Sequence, residues 1–148
     1  MDGNLNRELV IIGGGPAGLM AAESALANGA SNVSVYERMG SVARKFLIAG
    51  KGGLNLTHSE PMPQFIQRYL PQTRSIGHWL REFGPDAVRA WAAGLGVETF
   101  VGSSGRVFPH DLKAAPLLRA WVRRLRANGV RFHVNHEWLG WDEAGRLR

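Results

Sequence analysis

The chain has 148 residues, of which 45% are apolar and 20% charged, a balance that is sufficient for one globular domain with a buried core. It contains no cysteine, which excludes disulfide bonds, thiolate metal sites and thiol redox chemistry, so redox chemistry would need a bound cofactor. The net charge of +6 would favour binding to a polyanion such as nucleic acid. Neither a run of 18 apolar residues nor the apolar segment of a signal peptide is present, so we expect a cytoplasmic protein with no membrane partner. We also expect no metal site.

The first predicted element is a buried strand over residues 9–12, which runs directly into a glycine-rich segment. Gly13 can adopt the backbone angles that a reversal from strand to helix requires. Gly15 has no side chain to hold a pyrophosphate away, and Gly18 lets the following helix pack close to the strand. The free N–H groups at the start of that helix would point at the phosphates. We therefore predict a phosphate-binding turn formed by Gly13, Gly14, Gly15, Pro16, Ala17 and Gly18.

A helix over residues 19–26 and a second strand over residues 32–36 complete a βαβ start of about 30 residues. Asn28 and Gly29 end the helix. Glu37 stands at the end of the second strand, where a dinucleotide-binding fold places a carboxylate for the adenosine ribose. This context predicts an α/β Rossmann-like FAD/NAD(P)-binding domain with a parallel central sheet. The alternative is a purely structural turn followed by an acidic residue by chance.

Residues 38–57 show no periodicity, and they combine four glycines with the cations Arg44, Lys45 and Lys51. We predict a second glycine-rich loop that lies against a cofactor, because glycines let the backbone approach a flat ligand and cations suit phosphates. The alternative is a surface loop without a ligand.

The middle of the chain predicts three amphipathic helices followed by two short strands, and we expect the aromatic residues of the helices, such as Trp79 and Trp91, in the core. These elements cover residues 62–70, 76–83, 87–95, 97–101 and 106–108.

A long amphipathic helix over residues 112–128 places Arg119, Arg123 and Arg126 on a different face from its apolar stripe. Such a face is typical of a helix exposed to solvent, so a nucleic-acid or protein-interaction module is only a minor alternative. A strand over residues 130–135 and a β-hairpin over residues 138–148 follow. The returning arm of the hairpin is short, so we expect residues 1–148 to be the N-terminal portion of a larger domain.

Three separated stretches, residues 13–19, 44–57 and 105–114, resemble the bacterial HI0933-like flavoproteins, also called the BaiN/RdsA family. Members are FAD-dependent oxidoreductases, so the resemblance implies FAD as the cofactor of an enzyme that acts on a small molecule and exchanges electrons with a donor or acceptor such as NAD(P)H. Many relatives read Gly-Gly-Gly-Arg-Cys-Asn where this chain has Gly50-Lys51-Gly52-Gly53-Leu54-Asn55. Any role of that cysteine therefore does not carry over.

The resemblance, together with the chemistry of the loop, implies that Arg38 covers the adenine. It places four residues on the flavin side, which are Lys45, Lys51, Gly52 and Asn55. We assign no catalytic residue, and we expect the histidines at positions 58, 110 and 133 to be hydrogen-bonded or exposed rather than proton donors. Family members are longer than this chain, so residues 1–148 alone are expected to bind FAD weakly and to be inactive.

One other enzyme class fits the same turn and the same acid, an NAD-dependent dehydrogenase. Glu37 disfavours NADP, because its carboxylate would face the 2′-phosphate, but it suits NAD and FAD alike. The second glycine-rich loop and the family motifs favour FAD.

Overall fold

The computed structural model describes residues 8–148. The expectation that there is no signal peptide concerns residues 1–7, which lie outside the described residues. The chain divides into two compact units, one that comprises the residues up to Ile48 together with Trp121–Arg148, and a second that comprises Ala49–Ala120. In chain order the elements are β1 (Leu9–Ile12), α1 (Pro16–Ala27), β2 (Val33–Glu37), α2 (Arg44–Ala49), β3 (Thr57–His58), α3 (Met62–Gln67), α4 (Thr73–Glu82), α5 (Pro85–Gly94), β4 (Thr99–Val101), β5 (Arg106–Pro109), α6 (Ala114–Ala127) and β6 (Arg131–Val134).

The first unit contains a three-stranded parallel sheet in the order β1-β2-β6. Its register aligns Ile11 with Val35, and Val35 with Phe132. The central strand β2 is the most buried of the three, as expected for a strand with neighbours on both edges. Leu19 of α1 and Leu125 of α6 are buried in the same unit. The predicted strand–helix–strand start with parallel pairing is therefore confirmed.

β1 is an edge strand, because among residues 8–148 it pairs with β2 alone. Leu9 and Ile12 at its two ends are exposed over 42% and 45% of their surface. In the usual Rossmann order the first strand has a neighbour on each edge. This edge therefore presents both unpaired backbone groups and apolar side chains.

Helices α1 and α6 end in the same way, at an Asn-Gly pair. Gly29 and Gly129 have φ angles of 89° and 90°, the left-handed conformation that glycine adopts without strain. The side-chain amides of Asn28 and Asn128 each donate to the carbonyl oxygen four residues earlier, at 2.8 Å. The helix ends predicted at these two pairs are confirmed.

The second unit contains a small antiparallel sheet in the order β3-β5-β4, accompanied by the helices α3, α4 and α5. Its central strand β5 carries the buried residue Val107, which pairs with Thr57 on one side and Val101 on the other. β3 was not predicted, because two residues are too short for a pattern of alternation.

Two segments differ from the sequence prediction. The predicted loop over residues 38–57 contains α2 and a 3-10 turn at Gly50–Gly52. The ring of Phe46 in α2 packs edge-on against Trp121. The helix was not predicted, because its six residues lie among glycines and show no clear periodicity. The predicted hairpin over residues 138–148 forms without regular strands. Trp141 and Leu147 form an isolated antiparallel bridge, and the N–H groups of Leu139, Arg148 and Asp142 donate to the carbonyl oxygens of Arg148, Gly140 and Arg146. Asp142 closes its turn by accepting from the backbone N–H groups of Ala144 and Arg146.

Trp121 of α6 is 2% exposed and lies in the core, and Trp91 of α5 is half-buried. The prediction that the helical aromatic residues lie in the core is wrong for Trp79, which is 62% exposed. The reason is the orientation of α4. A Cβ on the buried Gly77 would lie 3.4 Å from Ile66 of α3, so α4 turns the side of Gly77, and not that of Trp79, toward its neighbour. Within the described residues, every helix is too short or too polar to cross a bilayer.

Candidate functional site

The turn between β1 and α1 uses three glycines for three different reasons. Gly13 has a φ angle of 99°, and its N–H donates to the carbonyl oxygen of Tyr36 at 2.8 Å. A Cβ on Gly18 would lie only 1.9 Å from the Gly13 carbonyl oxygen, so the close approach of α1 to β1 requires glycine there. A Cβ on Gly15 would meet no atom within 4 Å, and its φ of −77° suits any residue. The structural roles predicted for Gly13 and Gly18 are confirmed, whereas neither packing nor backbone angle explains Gly15.

The N-terminal end of α1 leaves backbone donors free of intrahelical partners. The helix begins at Pro16, which has no N–H and is favoured at this position. The first intrahelical bond runs from the N–H of Leu19 to the carbonyl oxygen of Gly15, at 2.9 Å. The N–H groups of Ala17 and Gly18 precede that bond, and no acidic side chain lies in the first turn. Such a helix end favours an anion.

The carboxylate of Glu37 lies at the end of β2, beside the glycine turn. Its Oε2 accepts from the N–H of Gly14 and its Oε1 from the N–H of Met39, both at 2.9 Å. The Gly14 amide is therefore bound within the protein, and a Cβ on Gly14 would lie 2.7 Å from a methyl group of Val42. A carboxylate has about four acceptor sites, so Glu37 retains sites for a ligand hydroxyl.

A cavity of about 400 Å³ opens at the carboxyl ends of β1, β2 and β6. Its walls come from three parts of the chain, within residues 12–16, 36–45 and 136–138. Ligands of open parallel sheets bind at this end of the strands. The cavity thus joins the open space at Gly15, the start of α1 and the carboxylate of Glu37.

Charged side chains surround this cavity. Arg38, Arg44 and Lys45 supply positive charge, and Glu137 faces Arg38 with a nitrogen–oxygen distance of 3.8 Å. Both partners of this pair are largely exposed, so the ion pair contributes little to stability and can rearrange around a ligand. The structure places Arg38 and Lys45 on the wall of the cavity. Their predicted contacts, of Arg38 with the adenine and of Lys45 with the flavin side, stay predictions.

The other residues assigned to the flavin side lie in the second unit and do not line the cavity of the first. Lys51 and Gly52 are exposed in the 3-10 turn. The Asn55 side-chain amide donates to the carbonyl oxygens of Thr57 at 2.8 Å and Val107 at 3.3 Å. Their contact with a flavin stays a prediction.

The second glycine-rich segment has a structural role as well. A Cβ on Gly50 would lie 2.5 Å from the Cβ of Ala114, so glycine lets the 3-10 turn approach the first residue of α6 closely. Part of the glycine content that suggested a ligand is therefore explained by packing.

His58 and His110 are placed as expected from the sequence. The Nε2 of His58 donates to the carbonyl oxygen of Ser104 at 3.0 Å, and its Nδ1 accepts from the N–H of Glu60 at 3.1 Å. Arg68 donates to the Glu60 carboxylate at 2.5 and 2.9 Å, and this hydrogen bonding holds the pKa of Glu60 below its ordinary value. His110 is exposed. One ring is therefore hydrogen-bonded and the other lies at the surface.

Sequence analysis missed the cavity residues Tyr36, His136 and Trp138. The last two follow β6, whose parallel pairing with β2 brings its carboxyl end beside Glu37. The strand itself was predicted, so the missing signal was its place in the sheet. Recognising it as the third strand of the parallel sheet would have located this wall.

Comparison with known proteins supports the same family as the motifs. The family model described as the HI0933-like protein Rossmann domain matches residues 7–148. The 3-dehydro-bile acid delta(4,6)-reductase of Clostridium scindens is 29% identical over 126 residues, which are 84% of this chain and 30% of that protein. The chain thus spans less than a third of the length of this relative.

Solved structures share the fold. A flavocytochrome c3 fumarate reductase in its open conformation superposes with a TM-score of 0.70 at 17% identity, over 91% of this chain and 28% of that one. The 3-ketosteroid-delta4-(5alpha)-dehydrogenase of Rhodococcus jostii RHA1 gives a TM-score of 0.61 at 18% identity, over 93% and 40% of the two chains. At such identities the likeness shows the fold alone. The family match, however, extends over all the described residues, and the chain therefore belongs to the HI0933-like family of Rossmann-fold, FAD-dependent oxidoreductases.

Proposed function

We propose that the first unit binds the ADP moiety of FAD in the cavity at the carboxyl ends of β1, β2 and β6. One observation carries this proposal: Gly15, the first residue of α1 and Glu37 line a single cavity, and the free N–H groups of Ala17 and Gly18 follow directly in the first turn of α1. These are the groups that a dinucleotide needs for its pyrophosphate and its ribose.

Each part of the cavity has a proposed role. The N–H groups of Ala17 and Gly18 bind the pyrophosphate, and Gly13 and Gly15 leave room for it. Glu37 accepts a hydrogen bond from a hydroxyl of the adenosine ribose. Arg38 covers the adenine, and Lys45, which lines the cavity, keeps its proposed place on the flavin side of the bound dinucleotide. Lys51, Gly52 and Asn55 keep their proposed place on the flavin side.

The whole protein is then proposed to be an oxidoreductase that transfers a hydride or electrons between FAD and a small molecule, with NAD(P)H as a candidate electron donor. Bound FAD would supply the redox chemistry at its isoalloxazine ring. The named relative acts on a bile acid, but residues 50–55 depart from the usual family pattern, so we propose the reaction class and not that substrate. An NAD-dependent dehydrogenase would use the same turn, and the family favours FAD.

The test compares Glu37→Ala and Glu37→Gln with the unchanged protein. We expect Glu37→Ala to weaken binding of ADP and FAD by about 1 to 3 kcal/mol, because a ligand hydroxyl loses a half-buried charged acceptor. Glu37→Gln keeps an acceptor oxygen and should lose less. Isothermal titration calorimetry with ADP and flavin fluorescence with FAD measure the two affinities.

Glu143→Ala is the matched control, because it removes an exposed carboxylate that does not line the cavity. Urea unfolding of every variant separates a binding loss from a folding loss, since Glu37 also holds the backbone at Gly14 and Met39. Equal affinities in all proteins, at equal stability, would remove Glu37 from the site. No affinity of the unchanged protein for either nucleotide would overturn the proposed function.

A further inference from the structure

Three rings form a cluster beside the proposed nucleotide cavity. Tyr36 and His133 are stacked, with centroids 4.4 Å apart and an interplanar angle of 14°. The ring of His136 stands edge-on to both of them at 5.8 Å. Tyr36 and His136 line the cavity, whereas His133 does not. The cluster therefore holds the His136 ring at the cavity wall.

Two hydrogen bonds fix the position and the tautomer of His136. Its backbone N–H donates to the carbonyl oxygen of Glu37 at 3.0 Å. Its Nδ1 lies 2.8 Å from the carbonyl oxygen of Val134. A carbonyl oxygen can only accept, so Nδ1 carries the proton of the neutral ring and Nε2 is an acceptor. Among residues 8–148 no donor reaches that Nε2.

The order of the strands indicates which part of a nucleotide this acceptor meets. The proposed pyrophosphate site follows β1, and the proposed ribose site lies at the end of β2. β6 is the next strand in the sheet, and His136 follows its end. A nucleotide that extends across the strand ends in this order presents its pyrophosphate, then its ribose and then its base.

We infer that Nε2 of His136 accepts a hydrogen bond from the 6-amino group of adenine and thereby selects adenine nucleotides over purines that have no donor at position 6. This inference rests on the proposed function. The 6-amino group is the donor that distinguishes adenine on this edge of the base. The contact is a specificity determinant, and it is separate from the contacts to phosphate and ribose.

The test compares ADP with purine riboside 5′-diphosphate, which differs from ADP only by lacking the 6-amino group. We expect the unchanged protein to bind ADP roughly three- to ten-fold more tightly, the ratio that one neutral hydrogen bond supplies. In His136→Leu the two nucleotides should bind equally, with the loss falling on ADP. His136→Gln, whose amide oxygen can accept, should restore part of the preference. Calorimetric titration at neutral pH gives all the affinities.

His78→Leu is the matched control, because it makes the same change at an exposed histidine of α4 that belongs neither to the ring cluster nor to the cavity wall. It should keep the preference for ADP. The comparison of the two nucleotides on the unchanged protein does not depend on the folding of any variant.

Three outcomes would contradict this inference. Equal affinities for the two nucleotides in the unchanged protein would overturn this inference and leave the proposed function standing. Equal weakening of both nucleotides in His136→Leu would also overturn it, because the ring would then only shape the cavity. No ADP binding by the unchanged protein would overturn the proposed function and this inference together.

Discussion

Gly15 and Gly18 lie three positions apart in one turn, but a methyl group would have different neighbours at the two positions. At Gly15 it would point into open space, and at Gly18 it would collide with the backbone oxygen of Gly13. Gly18 lies within α1, where alanine normally stabilises a helix by about 1 kcal/mol relative to glycine. The collision reverses that preference.

We therefore predict that alanine at position 15 impairs nucleotide binding but not stability, whereas alanine at position 18 lowers stability. Gly15→Ala should leave the free energy of unfolding within about 0.5 kcal/mol of the original value and weaken ADP binding on the order of tenfold, because the methyl group occupies the proposed pyrophosphate space. Gly18→Ala should destabilise the fold by roughly 1 to 3 kcal/mol or more, as overpacking does. Urea unfolding and ADP calorimetry measure both quantities. Full ADP affinity in Gly15→Ala would contradict the proposed position of the pyrophosphate.

The sequence predicted the structural roles of Gly13 and Gly18 because they depend on a spacing of a few residues, which one strand and one helix determine. The position of Glu37 could be predicted for the same reason, since a single βαβ unit contains it. His136 could not be predicted in this way. Its place beside Glu37 depends on the pairing of β2 with a strand far along the chain, and no local pattern encodes that pairing.

Helix α6 carries two sets of arginines with different surroundings. Arg119, Arg123 and Arg126 are exposed, as predicted, and the guanidinium of Arg126 lies 5.5 Å from the centroid of the Phe132 ring. Arg124 instead pairs with Glu23 of α1. The indole N–H of Trp121 donates to the same carboxylate, so Glu23 connects α1 to α6 through two side chains.

We predict that replacing Arg119, Arg123 and Arg126 together by glutamine changes stability by less than about 1 kcal/mol and leaves ADP affinity unchanged, because exposed charges contribute little. Glu23→Gln alone should destabilise the fold by about 1 to 2 kcal/mol, since it weakens two partly buried hydrogen bonds. Chemical denaturation compares the two proteins. Loss of nucleotide binding in the triple variant would show that the basic face belongs to the site.

Local sequence signals decided which elements the sequence predicted. α1 and α6 span several turns and end at an Asn-Gly pair, so their positions were predicted to within a few residues. α3 has only six residues but begins behind Pro61, whereas α2, also six residues long, lies in a glycine-rich segment and β3 has only two residues. The formation of α2 and β3 depends on packing and pairing with distant residues, such as Phe46 against Trp121.

At the scale of the molecule, the first unit alone forms the proposed nucleotide cavity. The contacts that we propose there, from α1, β2 and the segment after β6, all serve the ADP moiety. The sequence predicted that residues 1–148 are one portion of a single domain, whereas the structure contains two compact units. The pairing of β2 with β6 joins two separate stretches of the chain in the first unit, and the second unit is the stretch of sequence between them.

We predict that this chain binds FAD no more than about tenfold more tightly than ADP, because the flavin half gains little from the cavity of the first unit. Calorimetry with ADP and fluorescence quenching with FAD give the ratio. Lys51→Ala should leave the ADP affinity unchanged and lower this ratio, because Lys51 is proposed to lie on the flavin side. A preference for FAD of a hundredfold or more that disappears in Lys51→Ala would show instead that the second unit holds the flavin strongly.

The pairing of β2 with β6 also has a consequence for the way in which the chain folds. Ser34 aligns with Arg131, and these residues are 97 positions apart, whereas the second unit is continuous from Ala49 to Ala120. Closing a longer loop costs more chain entropy, by about 0.6 kcal/mol for each doubling of its length. Non-local strand pairs therefore form late. On refolding, we expect the amides of β5 to resist hydrogen exchange before those of β6 do. During synthesis on the ribosome the order is the same, because residue 120 leaves the exit tunnel before residue 131, and the parallel sheet acquires its third strand last.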